Sequence, residues 1–316
     1  MPENVHQLRI PTSLPIKESN AYLVEGEPLT LVDTGTYTGR GREVLQEEIR
    51  RTGHRLEDIE RIVLTHAHAD HFGLAAFVKE ASGAETCLNG IEREFVEDYP
   101  RTFNRRRGFF RDEFNLAGIP EMMWDEIESF LDYLAVLAKP CEVDVVLADG
   151  DRVQAGSLEL EAIHTPGHSD GSTCFLSEAG ELFSGDTLLR DVSWNFTLGG
   201  TDVPTSGLAE YVRSLKRIRG MHIRKVFPGH FSPFDDAEKT ITEFLELQER
   251  RKGQILRKLE GGKLTAHQIA KEVYGVENEQ DALLSLSQAL GLLHALLESG
   301  EVLKDEGSGP SLFSRV

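Results

Sequence analysis

Seven residues, THAHADH from Thr65 to His71, hold three histidines and one aspartate in an acidic, cysteine-poor chain. Imidazole nitrogen and carboxylate oxygen are ready ligands for zinc and similar ions, and catalytic sites keep one coordination position for water. Alternate positions of an extended turn point the same way, so His66 and His68 can converge on one ion, while Asp70 and His71 open a helix and face a neighbouring one. Two ions need about six to eight ligands. The remainder are to be sought at other strand ends: His168 in HTPGHSDGS, Asp186 in FSGDTLL and His230 in FPGH. Each sits beside a glycine that lets the backbone turn sharply after an apolar run. Packing alone gives no reason to place imidazoles at several strand ends. Two metals about 3.5–4 Å apart bring a bridging water close to neutral pKa, creating hydroxide, and polarise a carbonyl or phosphoryl oxygen. Asp70 is placed to orient that hydroxide and carry its proton towards a leaving group.

The elements that must hold these residues follow from the pattern. NAYLVEGEPLTLVDTG reads as two antiparallel strands with Asp33 at the closing turn, residues 39–51 as a helix, and RIVLT at 61–65 as a buried strand. HADHFGLAAFVKEASG predicts one helix from Asp70 to near Gly83. Residues 91–140 lose strand character and read as a helical insertion. VDVVLADGDRV, SLELEAIHTPGH, TCFLSEAG and ELFSGDTL then predict four short strands, and a helix at 206–219 leads into the strand RKVFPGH. Two such halves argue for stacked sheets covered by helices. From about residue 245 come helical ITEFLELQERRKGQILRKLEGG, a short helix in LTAHQIAKEVYG, the apolar DALLSLSQALGLLHALLESG and a two-stranded wing. Three helices and a hairpin make a winged-helix pattern. The domains expected are 1–244, catalytic, with the insertion at about 91–140, and 245–316, winged-helix-like.

The ordered set HxHxDH, downstream His, Asp and final His resembles the metallo-beta-lactamase-fold hydrolases over roughly residues 8–235. The resemblance implies an α/β fold, an αββα sandwich carrying here a helical insertion and a C-terminal winged-helix domain. It implies that His66, His68 and His168 hold one metal, that Asp70, His71 and His230 hold the second, and that Asp186 bridges them. Asp33 in LVDTG matches a family position behind the site, where a carboxylate accepts a ligand histidine's N–H and fixes its orientation. His164, four residues before His168, is read as a supporting residue of the same kind. The tail's TAHQIA stretch is similar to the beta-lactamase-like protein 2 group, which includes thioesterase-like and RNA-cleaving members. The cofactors implied are two divalent ions, zinc first, with iron or manganese also accepted by mixed nitrogen and oxygen ligands. His6, His54, His222, His267 and His294 are given no role.

Composition narrows the partners. A chain of 316 residues with 40% hydrophobic content can bury a full core and still carry a satellite domain. Cys87, Cys141 and Cys174 show no CxxC spacing, and an odd count suits a reducing compartment. The N-terminal stretch lacks signal-peptide character and no apolar run approaches bilayer-spanning length, so a cytoplasmic protein without a membrane partner is expected. A net charge of −19 repels phosphate backbones, and no Lys or Arg occurs from Glu272 through Leu303, which excludes DNA as the expected partner of the tail. Its apolar helix should instead bury against the catalytic domain or a second subunit, as in a homodimer.

Substrate contacts are expected from two places. Arg101, Arg105, Arg106, Arg107 and Arg111 stand among Phe103, Phe109 and Phe110, a basic and aromatic cluster suited to an anionic handle on a small molecule, such as a coenzyme A or glutathione thioester. Arg105, Arg106 and Arg107 are the candidates within it. The competing reading is solvated charge, or salt bridges to Asp112, Glu113 and Glu97. Trp194 and Phe196, after Asp186, are candidates for an apolar pocket wall. The leading function is hydrolysis of an acyl thioester or related small ester by a metal-bridging hydroxide. The alternatives are an endoribonuclease gripping single-stranded RNA with the arginines and a mononuclear iron persulfide dioxygenase held by His66, His168 and Asp186.

Overall fold

The computed structural model describes residues 4–14, 16–190, 207–274, 279–307 and 309–316. Trp194 and Phe196 lie outside them. The first sheet has six strands in chain order: β1 (Val5–Pro11), β2 (Glu18–Val24), β3 (Thr30–Val32), β4 (Arg61–Val63), β5 (Glu85–Asn89) and β6 (Val145–Leu147). The hairpins β1–β2–β3 are antiparallel, and β3 to β6 run parallel. The second sheet contains β7 (Arg152–Ala155), β8 (Leu158–His164), β9 (Thr173–Ser177), β10 (Glu181–Gly185) and β11 (Lys225–Pro228), ordered β11-β10-β9-β8-β7. Among the described residues, only β10 and β11 pair in parallel there.

The strand residues sort themselves by the period of two. Tyr22, Val24, Val63, Leu160, Ala162, Phe175, Phe183 and Phe227 form one buried cluster to which both sheets contribute. Their neighbours Ala21, Leu23, Ile62, Leu64, Ile163, Cys174, Leu182 and Val226 belong to a second cluster together with helix residues. The two sheets therefore bury one face against each other and much of the other under helices, while the edge strand β7 leaves Arg152 and Gln154 exposed. Helices α1 (Gly39–Arg51), α2 (Ala69–Phe72) and α3 (Ala75–Ser82) accompany the first sheet. The insertion supplies α4 (Arg93–Glu97), α5 (Tyr99–Ala117) and α6 (Trp124–Ala135), while α7 (Gly207–Arg219) connects β10 to β11 and α8 (Ala237–Leu259) follows β11.

Two expectations need correction. The helix predicted from Asp70 to Gly83 is two helices, because Gly73 packs so tightly that a Cβ there would lie 2.2 Å from the Ala69 carbonyl oxygen and 2.5 Å from that of Leu137. Leu74 N–H then leaves the helix ladder and donates to the Gly35 carbonyl. The run VDVVLADGDRV is likewise two strands, β6 and β7, which the turn at Asp149 and Gly150 sends into different sheets.

The tail comprises α9 (Ala266–Tyr274), α10 (Glu279–Glu298) and the antiparallel pair β12 (Val302–Asp305) and β13 (Leu312–Arg315). Helix α8 runs without a break across residues 244 and 245, packing Phe244 against Tyr211 of α7 at its N-terminal half and meeting α9 and β13 further on. The tail also touches the insertion, where Ser311 N–H donates to the Leu116 carbonyl at 2.8 Å. All three cysteines are buried and free. Among the described residues no helix is long and apolar enough to cross a membrane.

Candidate metal centre

Strands β3, β4, β8, β10 and β11 all end at one edge of the sandwich, and the chemistry-bearing residues leave from those ends. Asp33 follows β3, Thr65 to His71 follow β4, His168 follows β8, Asp186 follows β10 and His230 follows β11. Ligand sites in open α/β sheets form outside the C-terminal ends of strands because the backbone there is released from the ladder. The two sheets are lashed together beside the site: Asn20 N–H donates to the Gly229 carbonyl at 2.7 Å, Tyr22 O–H to the Pro228 carbonyl at 2.7 Å, and Thr173 N–H to the Thr65 carbonyl at 2.9 Å. Gly229 is required by close approach, since a Cβ would stand 2.3 Å from Asp186 Oδ1 and 2.6 Å from His71 Cε1.

His66, His68 and His168 meet at their nitrogens. His66 Nε2 lies 3.1 Å from His68 Nδ1 and 3.2 Å from His168 Nε2, and the last two are 2.8 Å apart. Three nitrogens around a tetrahedral zinc at about 2.0–2.1 Å stand about 3.3 Å from one another, so the triangle fits an ion with little adjustment. Asp70, His71 and His230 form a second group: His230 Nε2 lies 3.4 Å and His71 Nε2 3.8 Å from Asp70 Oδ2. Asp186 stands between the two, 3.5 Å from His71 Nε2, 3.5 Å from His168 Nε2 and 3.3 Å from His230 Nε2. His71 Nε2 and Asp186 Oδ1 are buried without a hydrogen-bond partner, an arrangement that a bound cation satisfies.

The far nitrogens of the rings are fixed from behind. Asp33, 2% exposed, accepts from Thr65 N–H at 2.8 Å through Oδ1, and from the Thr65 hydroxyl at 2.8 Å and His71 Nδ1–H at 2.9 Å through Oδ2. With the Thr65 proton given to Asp33, the hydroxyl oxygen accepts from His66 Nδ1–H at 3.0 Å. One carboxylate thus orients two rings, directing Nε2 of each at the site and leaving it bare in the neutral ring. His230 Nδ1–H donates to the Glu18 carbonyl at 2.7 Å with the same effect. His164 touches no ring of the cluster. Its Nε2–H donates to the Asp170 carbonyl at 2.7 Å and braces the loop carrying His168.

Electrostatics divide the site in two. Burial, reinforced by neighbouring imidazole charge, holds His66 and His68 well below the usual range, and burial pushes His168 down to about 4. Those rings are neutral, as ligands must be. Burial would also lower His230, but the Asp186 and Asp70 carboxylates outweigh it and push it up to about 10; His71 is raised in the same way. Burial would raise Asp70 and Asp186, yet the His71 and His230 charges hold both carboxyls below their ordinary range. Without an ion, protons on His71 and His230 balance the carboxylates that would otherwise face a cation.

Sequence reasoning missed two supports. Thr65 is one. Glu92, 5% exposed, is the other: its Oε2 accepts from Ala67 N–H at 2.7 Å and its Oε1 from Gly171 N–H at 3.3 Å, tying the His66–His68 turn to the His168 loop. The available signal was its place just after β5, at the same sheet edge as the histidines. The arginines, by contrast, part company. Arg101 pairs with Asp98, Arg105 with Glu94, Arg107 with Glu128 and Asp132, and Arg111 with Glu128. Among the described residues Asp112, Glu113 and Glu97 are not these partners: the acids come from α4 and the turn after it, Glu94 and Asp98, and from α6, Glu128 and Asp132. Arg106 alone turns inward, to line a cavity of about 280 Å³ that also touches His68, Asp70, His168, Asp186 and His230.

Known proteins match this arrangement. The chain is 27% identical to the probable metallo-hydrolase YqjP of Bacillus subtilis, over 99% of this chain and 98% of that one. It is 25% identical to a beta-lactamase-like protein 2 homolog of Caenorhabditis elegans, over 92% and 83% of the two chains. An atrochrysone carboxyl ACP thioesterase of Aspergillus fumigatus is 24% identical over 78% of this chain and 61% of its own. Among solved structures, the metallo-beta-lactamase family protein TTHA1429 from Thermus thermophilus superposes with a TM-score of 0.84 at 28% identity, covering 99% of each chain. The profile of the metallo-beta-lactamase superfamily matches residues 15–230, and with the strand-end histidines and aspartates in that order the chain belongs to this superfamily.

Proposed function

We propose that the chain is a dinuclear metal-dependent hydrolase acting on an acyl thioester or a related small ester with an anionic handle. The observation that carries the reading is Asp186, whose carboxylate lies within 3.5 Å of His71, His168 and His230 and so joins the two groups of ligands. His66, His68 and His168 would hold one ion and Asp70, His71 and His230 the other. Two bound ions supply a water acidified to near neutrality and a positive charge for the substrate carbonyl. Zinc suits the donor set first, with iron or manganese also accepted.

The chain's own residues supply the rest. Asp33 and Thr65 keep ring protons away from the site, and Asp70, held as the anion, is placed to accept a proton and return it to the departing thiolate. The apolar cavity lowers the local dielectric, which strengthens each of these interactions. The likeness to a thioesterase supports the thioester class, and the completeness of the second group favours hydrolysis over single-iron redox chemistry. Neutralisation of Arg105 and Arg107 by acids on the neighbouring helices weighs against an RNA-gripping surface. We read the tail from about 245 as winged-helix-like, its role being to brace α5 rather than to bind DNA. The test is thiol release from a panel of acyl thioesters with the metal-loaded protein beside its chelated form. A metal-dependent rate supports the reading; no release from any thioester overturns it.

A further inference from the structure

Arg106 is 8% exposed and carries the one guanidinium among the cavity's described lining residues. Its Nε is buried with no hydrogen-bond partner, and among the described residues no carboxylate lies within ion-pair distance of it. The rings of Phe95 and Phe110 stand over it with centroids 5.5 Å away in each case. Glu92 is a neighbouring acid, but its oxygens are engaged by the Ala67 and Gly171 amides. Glu92 and Asp170 act on the guanidinium only beyond ion-pair distance, so it is a desolvated cation held by aromatic faces, and a planar fork of donors is most fully satisfied by a carboxylate. The walls around it are aromatic, with Tyr99, Phe103 and Phe130 completing them. The volume, about 280 Å³, falls near the low end for small-molecule sites, ~300–1,000 Å³, and fits a compact group rather than a whole nucleotide-bearing carrier.

We propose that Arg106 is a specificity-determining residue for an acyl group that is compact, apolar and itself bears a carboxylate, with the aromatic walls receiving its body and the guanidinium its anionic end. This rests on the hydrolase reading and deepens it, assigning the anionic handle to the acyl side of the thioester. In the reaction, water oxygen bonds to the thioester carbon, the carbon–sulfur bond breaks, and the two water protons are shared between the new acid and the thiol. The product is a dicarboxylic acid, and Arg105 and Arg107 take no part.

The test uses the N-acetylcysteamine thioesters of 4-carboxybenzoate and benzoate, whose leaving group is identical and uncharged, with the zinc-loaded full chain. Wild type is expected to favour the carboxylated substrate about 100-fold in kcat/KM, and Arg106→Gln to remove that preference by lowering turnover of the carboxylated substrate far more than that of the benzoyl one. Arg106→Lys, retaining charge without the fork, should fall between. Calorimetry on metal-free protein with 4-carbamoylbenzoate and terephthalamide gives a reading independent of turnover: tighter binding of the anion, lost in Arg106→Gln, supports the proposal. Equal handling of the charged and neutral probes by wild type, in turnover or in binding, overturns it, as does an equal loss for both substrates in the variant. Failure of every thioester to turn over, with the anion preference intact in calorimetry, would instead sink the hydrolase reading and leave the anion subsite standing.

Discussion

Replacing Asp33 by Asn changes one atom of a side chain that stands behind the ligand rings rather than among them, yet it should weaken metal binding selectively. The carboxylate accepts three hydrogen bonds, from Thr65 N–H, the Thr65 hydroxyl and His71 Nδ1–H. An amide can keep the first through its oxygen, but its NH2 then faces His71 Nδ1. To avoid donor against donor, His71 must carry its proton on Nε2, the nitrogen that points at Asp70 and Asp186. A ring protonated there cannot coordinate. Loss of such an outer support typically lowers metal affinity 10- to 100-fold, about 1.4–2.7 kcal/mol. Competition against a chromophoric zinc chelator should therefore show one of the two binding steps weakened by that factor in Asp33→Asn, and the other shifted less, since His66 is reached only through the Thr65 hydroxyl. Circular dichroism of the variant should still show the folded chain. If both affinities stay within about threefold of wild type while the fold is intact, the claim that Asp33 sets the His71 tautomer is wrong.

Three further outcomes follow from the same geometry. Gly229→Ala drives a methyl group into Asp186 and His71, at 2.3 Å and 2.6 Å in the present backbone, so zinc stoichiometry by elemental analysis should drop while the strands, read by circular dichroism, persist. Glu92→Ala leaves the Ala67 and Gly171 amides without acceptors at about 1–3 kcal/mol each, a loss that urea titration would read and that Glu92→Gln should partly restore. For the chelated protein, stability should peak near pH 6.5. His168, lowered to about 4, binds its proton more readily in the unfolded chain, so its contribution is full above pH 6.5 and is lost as pH falls towards 4. His230, raised to about 10, contributes fully below pH 6.5 and loses that contribution as pH rises towards 10. A steady gain in stability from pH 6.5 to 10 would refute the assignment for His230.

Much of the site was legible because its information is local. The spacing in THAHADH and the glycines beside His168, Asp186 and His230 encode ligand type and strand end within a few residues, and the structure brings all of them to one edge. The strands, too, declared themselves, the first hairpin through alternation, RIVLT through its length and branched composition, and the later ones through the turn residues that divide them. What escaped depends on partners distant in sequence. Gly73 breaks a helix because the Leu137 carbonyl arrives from the far end of the insertion, and the single apolar run at 143–153 divides because its two ends pair in different sheets. Glu92 carries no motif, since its partners are backbone amides of two loops 25 and 79 residues away. The arginine cluster shows the same limit. Composition brought Arg105, Arg106 and Arg107 forward together, but only helix orientation distinguishes the two that pair with surface acids from the one that faces the cavity.

The most direct test of the account is an anomalous difference map from crystals of zinc-loaded protein. Two peaks are predicted about 3.5–4 Å apart. One should lie among His66, His68 and His168, the other among Asp70, His71 and His230, with Asp186 reaching both. A single peak, with Asp70, His71 and His230 closed on one another by hydrogen bonds, would contradict the dinuclear centre on which the proposed hydrolysis depends.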